Sequence, residues 1–258
     1  MTRPKISVAI ITKNEERNIR ECIARVAGWA FEVIVVDGYS ADRTRDIAAE
    51  CGARVIPHRF EGDFSKERNA GMDASSGDWV LHLDADDRVT DDFKKKADEA
   101  VGSDDAVDVY KFRRKNFFLG HCMEHGGWCH YIPNLVRRRA VRFEGALHER
   151  PVYKGKTGTI EADIEHYPFT SISQFIERQN HYSSVEAEAL FKREGASMMD
   201  RATANMVGRT FKIFWKMYVK KKGYREGMYG LVFSVLFAFV NFLIWAKYRE
   251  LCAKKDAT

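Results

Sequence analysis

Little in this sequence supports a disulfide scaffold. Its five cysteines, Cys22, Cys51, Cys122, Cys129 and Cys252, are odd in number and scattered over 258 residues, the pattern of reduced thiols in a cytosolic protein. No signal peptide opens the chain, since residues 1–5 run straight into a strand-like segment, and a cytoplasmic location is the expectation. The one long apolar run, 230–246, has seventeen residues. As a helix it would rise about 25 Å, short of the ~30 Å hydrocarbon core of a bilayer. Zinc-finger spacing is missing as well. Among His121, Cys122, His125, Cys129 and His130 there is a Cys122-x-x-His125 pair but no second tight pair. The basic runs Arg137-Arg138-Arg139 and Lys220-Lys221-Lys222 carry no RNA-recognition signature, so no nucleic-acid partner is expected.

What is present is the composition of a folded globular protein, 45% hydrophobic and 31% charged, with length for one large domain and a smaller appendage. The net charge of +5 is unevenly spread: residues 212–255 are rich in Lys and Arg and poor in acids, which points to an anionic surface as partner for the C-terminal part. The first ninety residues alternate. Ile6-Ser7-Val8-Ala9-Ile10-Ile11 reads as a buried strand, and Ile19, Cys22, Ile23 and Val26 recur at helical spacing up to Gly28. Glu32-Val33-Ile34-Val35-Val36 is a second strand closing on Asp37-Gly38. Asp42 can cap a helix that carries Ile47, Ala48 and Cys51, and Arg54-Val55-Ile56 is a third short strand. A polar helix is expected over 65–74. This spacing predicts an α/β protein with a doubly wound, mostly parallel sheet. After Asp91 the alternation falters: Val107–Phe112 and Asn134–Val136 look like strands, with a long Gly-, His- and aromatic-rich loop between them. Beyond about Tyr167 the chain reads as helical.

The organising stretch is Trp79-Val80-Leu81-His82-Leu83-Asp84-Ala85-Asp86-Asp87, an apolar strand that ends in three carboxylates. Clustered carboxylates repel unless a cation neutralises them, and in an α/β sheet that end is where ligands bind. A capped turn into the next helix is the alternative. Arg88 and Val89 exclude an EF-hand, and an aspartate-nucleophile phosphatase would place its acid after the first strand. What remains is a site that holds a metal with one or two carboxylates and the oxygens of a bound diphosphate. Asp37, ending the second strand, belongs to the same crevice, where a carboxylate commonly accepts hydrogen bonds from a nucleoside.

The series Val8-Ala9-Ile10-Ile11-Thr12-Lys13-Asn14-Glu15, Val35-Val36-Asp37-Gly38-Tyr39-Ser40-Ala41-Asp42-Arg43-Thr44, Arg68-Asn69-Ala70-Gly71 and Gly77-Asp78-Trp79 through Asp87 resembles the family 2 glycosyltransferases of the GT-A fold. The resemblance implies that Thr12, Glu15 and Asp37 line a nucleotide pocket. It also implies that Arg68 approaches the base or phosphates, and that Asp84 and Asp86 straddle ribose, metal and diphosphate. Within the family, His125-Gly126-Gly127-Trp128 and Gly145-Ala146-Leu147-His148-Glu149 resemble the lipopolysaccharide-core β-1,4-glucosyltransferase branch, with Asp87 where that branch often has Glu. The donor so implied is a nucleotide sugar, UDP-glucose, with a divalent cation, Mg or Mn, at Asp86 to neutralise the leaving diphosphate. An inverting displacement also needs a carboxylate base near the acceptor hydroxyl. Glu149 is the candidate; the alternative is that it pairs with Arg150 or Arg138 at the surface. His148 is a candidate metal ligand or orienter of Glu149, or a structural histidine. Trp128 is expected to offer its face to an acceptor sugar.

Basic residues flank 230–246 on both sides, and Tyr218, Tyr224, Tyr229, Trp245 and Tyr248 bracket it. That pattern suits a helix lying on an anionic inner leaflet better than one crossing it; a core or dimer-interface helix is the alternative. The expected organisation is a catalytic domain over 1–165 and a basic, membrane-associated helical region over 166–258, peripheral on the inner face of the inner membrane. Such an enzyme would transfer one sugar per encounter to a membrane glycolipid, the lipopolysaccharide inner core by resemblance, since the Gln-x-x-Arg-Trp motif of processive synthases is absent. A polyprenyl-phosphate or protein acceptor, or a non-catalytic nucleotide-sugar-binding scaffold, are the rival readings.

Overall fold

The computed structural model describes residues 4–103, 107–145 and 149–256, with 255 and 256 described by their backbone alone. Strand β1 (Ile6–Thr12) is apolar and almost wholly buried, and lies at the centre of the parallel part of the sheet. It pairs in parallel with β2 (Glu32–Asp37) on one side. The helix between them, α1 (Ile19–Val26), buries Ile19, Cys22, Ile23 and Val26. Helix α2 (Thr44–Glu50) leads to β3 (Arg54–Pro57), which extends the parallel set at β2. Helix α3 (Phe64–Ala74) is capped by Asp63, whose side chain accepts from the Ser65 amide, and returns the chain to β4 (Trp79–Asp84) on the other flank of β1.

Beyond β4 the sheet becomes mixed, with antiparallel pairs. β5 (Asp87–Val89) is a short edge strand, and α4 (Asp91–Val101) is capped by Thr90. β6 (Val107–Phe118) forms a hairpin with the two-residue β7 (His121–Cys122). β8 (His130–Arg137) lies between β4 and β6, antiparallel to both. β9 (Arg142–Glu144) and β10 (Arg150–Val152) make a separate ribbon, and β11 (Lys156–Phe169) pairs antiparallel with β5. The main sheet runs β3-β2-β1-β4-β8-β6-β11-β5. Such a mixed sheet with flanking helices and a helical C-terminal region is the GT-A layout implied by the sequence. The expected long loop between two short strands is mostly strand: β6 extends to Phe118 and β8 starts at His130. Its charged residues alternate across the sheet instead of forming a continuous polar stretch.

Residues Met1–Lys115 and His130–His166 form one unit, and Asn116–Cys129 and Tyr167–Thr258 the other. The first unit has core on both sheet faces. Ile19, Ile23, Ile47, Phe93 and Ala97 cover one, and Met72 and Phe143 the other. Gly71 is there for contact: a Cβ on it would lie 2.9 Å from that of Ala9, so α3 packs directly on β1.

The second unit is built on α5 (Ile172–Glu194), α6 (Met199–Phe214) and α7 (Gly227–Asp256), with a π-helical turn over Trp215–Lys220 and a 3-10 turn over Gly223–Glu226. Phe118, Phe169, Phe175 and Phe233 form an aromatic core. Trp128 packs into it, 4.5 Å between ring centroids from Phe233 and stacked on Phe169. These contacts leave Trp128 half-buried. His121 and His125 converge on Glu226, whose carboxylate lies 2.6 Å from His121 Nε2 and 2.7 Å from His125 Nδ1. The thirty-residue α7 outlasts the apolar run within it. The stretch Gly223–Lys254 is long and apolar enough to cross a membrane by length and composition alone.

Candidate active site

The parallel register sets three predicted residues side by side. Thr12 is level with Asp37, and Ile11 with Asp84, so Thr12, Asp37 and Asp84 mark the carboxyl edge of β1, β2 and β4. The loops after β1 and β2 are sewn together there. The Asn14 amide donates to Ser40 Oγ, the Ala41 amide to Asn14 Oδ1, and the Glu15 amide to Thr44 Oγ1. Asn14 and Tyr39 take left-handed φ values of 55° and 58° to allow this. Asp37 is fully buried and accepts from both the amide and the hydroxyl of Ser40. Glu15 accepts from Asn18 Nδ2 at 2.7 Å. Thr12 Oγ1 is buried and without a hydrogen-bond partner.

The acidic turn is held by two arginines. Arg114, from β6, donates through Nε to Asp87 Oδ1 at 2.8 Å and through Nη2 to both Asp87 and Asp84. The Asp84 amide donates back to Asp87 Oδ2, closing the turn. Arg68, from α3, reaches Asp84 Oδ1 through Nη2 at 3.4 Å and Glu149 Oε1 through Nε at 2.8 Å. Burial pushes the Asp84 carboxyl up, but Arg114 and Arg68 outweigh it and hold it below the usual aspartate range. For fully buried Asp87 the same burial wins over Arg114, and its carboxyl lies above that range. Asp86 faces His166 of β11, with Oδ1 3.3 Å from Nε2. Asp84, Asp86 and His166 each offer a ligand atom, all within 4.8 Å of one another.

The Arg68-Asn69-Ala70-Gly71 segment thus divides its work along one turn of α3. Arg68 enters the site, and Asn69 exchanges two hydrogen bonds with the Phe143 backbone, fixing β9. Gly71 permits the approach to β1. Behind the acids sits His82, fully buried with both ring nitrogens unpartnered and its ring edge-on to Phe143 at 4.8 Å. Burial, then the Arg68 charge, push its pKa well down, so it is neutral.

Arg68, Asp84 and Glu149 are therefore brought into direct contact, while Thr12 and Asp37 share the strand edge with Asp84. The surface alternative for Glu149 fails, since its partner is buried Arg68. His148 lies outside the described residues; in the described part of the cluster the imidazole beside Asp86 belongs to His166. Sequence reading also passed over Arg114 and the nearly buried Glu67, whose carboxyl burial pushes up to about 7. The only sequence signal for His166 is the alternation Ile160, Ala162, Ile164, which places it on the inward face of β11. Arg137 and Arg138 are structural: Arg137 stacks on Trp79 and binds the Val107 carbonyl, and Arg138 binds the Gly77 carbonyl.

The donor set of two carboxylates and an imidazole fits a divalent cation. The unpartnered buried Arg68 Nη1 and Thr12 Oγ1 suit an oxygen-rich ligand in the same crevice. An uncharacterized glycosyltransferase of Rickettsia typhi is 29% identical over 265 residues, covering 97% of this chain and 88% of its own length. One of Rickettsia felis is 30% identical over 261 residues, covering 95% and 90%. The solved structure of glucosyl-3-phosphoglycerate synthase from Mycobacterium tuberculosis, in complex with Mn2+, UDP and glucosyl-3-phosphoglycerate, is 25% identical with a TM-score of 0.37. That likeness spans 43% of this chain and 44% of the other, less than half of either. Residues 7–216 match the family described as Glycosyl transferase family 2, and the chain belongs to that family of glycosyltransferases.

Proposed function

We propose that this glycosyltransferase is metal-dependent, inverting and non-processive, and moves a hexose from a nucleotide sugar, UDP-glucose, to a membrane glycolipid. The observation that carries this reading is the convergence of Asp84, Asp86 and His166 at the carboxyl edge of the parallel strands. A divalent cation held there would neutralise the departing diphosphate. The imidazole among its ligands moves the preference from Mg toward Mn. Arg68, with a buried donor to spare, binds the diphosphate, and Thr12, Glu15 and Asp37 form the nucleoside wall. Asp84, tied to two arginines, orients the turn beside the donor. Glu149 accepts the proton of the acceptor hydroxyl, and Arg68 fixes its carboxylate for that task. In this reading the catalytic stretch expected over 1–165 runs one residue further, to His166, and the residues after it hold the protein on the cytoplasmic face of the inner membrane.

The acceptor follows from the Gly145–Glu149 resemblance and is the lipopolysaccharide inner core. A phosphorylated polyprenyl acceptor is less well served, because Arg137 and Arg138 are spent on backbone carbonyls. Incubating the protein with UDP-glucose, Mn2+ and extracted core lipid, with mass detection of product, tests the reading. A single-hexose adduct that EDTA abolishes is expected. UDP release at the same rate with and without every glycolipid tried would rule out the acceptor, and no donor turnover with any metal would favour a non-catalytic scaffold.

A further inference from the structure

Within the second unit, α6, continued by the π-helical turn, and α7 expose two apolar rows, of which Val207, Phe211, Val235 and Phe239 line a common groove. On α6 the row is Val207, Phe211 and, one turn on, Trp215; on α7 it is Leu231, Val235 and Phe239. Each is between 43% and 64% exposed. The spacing of i, i+4, i+8 puts each row on one side of its helix. Met206, Thr210, Phe214, Ala238 and Phe242 line the floor between them, a groove of about 490 Å³. The opposite side of α7 is satisfied: Phe233, Trp245, Tyr248 and Cys252 are buried in the unit's own cores. The exposed rows are therefore surplus to folding. An apolar face of this extent on a soluble protein marks an interaction surface.

Charge identifies the occupant. Arg209, Lys212 and Lys216 follow the same stretch of chain on a different flank from Val207 and Phe211, and are exposed. The exposed run Lys220-Lys221-Lys222 comes next, and no acid occurs from 209 to 225. Apolar and basic sectors side by side on one helix are the signature of a helix lying in the headgroup plane, with acyl chains on one side and lipid phosphates on the other. A protein partner would require acids opposite the lysines and a shape matched to an open groove; a leaflet supplies negative charge and deformable chains together.

We infer that the α6–α7 groove is the membrane-docking face of this protein, with acyl chains of an anionic phospholipid leaflet between Phe211 and Phe239 and lipid phosphates on Arg209, Lys212 and Lys216. The inference rests on the proposed membrane association and adds which surface makes it: α7 lies along the leaflet with one flank in it, and does not cross.

The test is flotation of the full-length protein with phosphatidylglycerol-containing and purely zwitterionic vesicles, beside UDP release from UDP-glucose in solution. Wild type should float with the anionic vesicles and be released by high salt. Phe211→Glu with Phe239→Glu should lower the bound fraction roughly tenfold or more, and Lys212→Glu with Lys216→Glu should abolish the preference for anionic lipid. Circular dichroism and unchanged UDP release confirm folding, because none of these side chains belongs to the catalytic cluster. Double variants that float like wild type overturn the assignment, as does a salt-resistant, detergent-requiring association. A wild-type dimer that Phe211→Glu with Phe239→Glu dissociates, with no vesicle binding by either protein, also overturns it and makes the groove a contact between two copies. Loss of donor turnover in wild type would count against the catalytic reading alone.

Discussion

Arg68 Nε donates to Glu149 Oε1 at 2.8 Å, linking α3 to the segment before β10 across 81 residues of sequence. Neither side chain is more than 16% exposed. Glu149→Gln keeps the size and an acceptor oxygen for Arg68 but removes the base. Turnover should fall by a factor of roughly 10² or more, with UDP-glucose affinity by calorimetry within a few fold of wild type. Near-normal turnover would take Glu149 out of the mechanism.

Asp86 and His166 should set the metal requirement. Electron paramagnetic resonance of Mn2+ provides a readout independent of turnover. His166→Ala is expected to raise the Mn2+ concentration for half-saturation by roughly tenfold or more, and Asp86→Ala to abolish specific binding. An Asp86→Ala protein that binds Mn2+ and donor and turns over normally would refute the reading of the acidic turn.

Glu67 predicts a stability slope. Burial raises its folded carboxyl from 4.5 to about 7, so the folded state binds the proton more tightly than the unfolded chain. Its contribution is fully present below pH 4.5 and is lost as pH rises through about 7. The loss is on the order of 3 kcal/mol. Glu67→Gln should therefore flatten this part of the profile and stabilise the protein at pH 8 in urea melts. An unchanged slope would mean that Glu67 ionises normally.

Gly71→Ala should destabilise by about 1–3 kcal/mol. Its new methyl would lie 2.9 Å from Ala9 Cβ, and both atoms belong to elements that cannot move apart cheaply. Chemical denaturation measures this directly, and a neutral result would show that α3 can shift on β1.

The first ninety residues were legible because each element there is local. Buried strands such as Ile6–Thr12 announce themselves by β-branched runs, helix α1 by its apolar spacing, and strand ends by the turn residues that follow. The acidic turn was legible for the same reason: three carboxylates after an apolar strand are an electrostatic anomaly whatever surrounds them. From β6 onward the sheet is mixed and most of its pairing is non-local. Adjacent Arg113 and Arg114 are alike in the sequence, yet the sheet sends Arg114 to Asp84 and Asp87, and Arg113 to Asp163.

The sequence by itself determined the parallel strands with their intervening helices, the acids at the end of one strand and the basic, apolar character of the C-terminal helices, since all three follow from short-range periodicity and charge. Only the tertiary structure decided which cations and which imidazole meet those acids. Arg114, Glu149 and His166 come from segments 27 or more residues beyond the turn that Asp87 closes, and local sequence marks at most a strand face, as the alternation in β11 does for His166, not what that face meets. A strand's neighbours across a mixed sheet are set by packing and register, and a one-residue slip would have turned Arg114 and His166 away from Asp84 and Asp86.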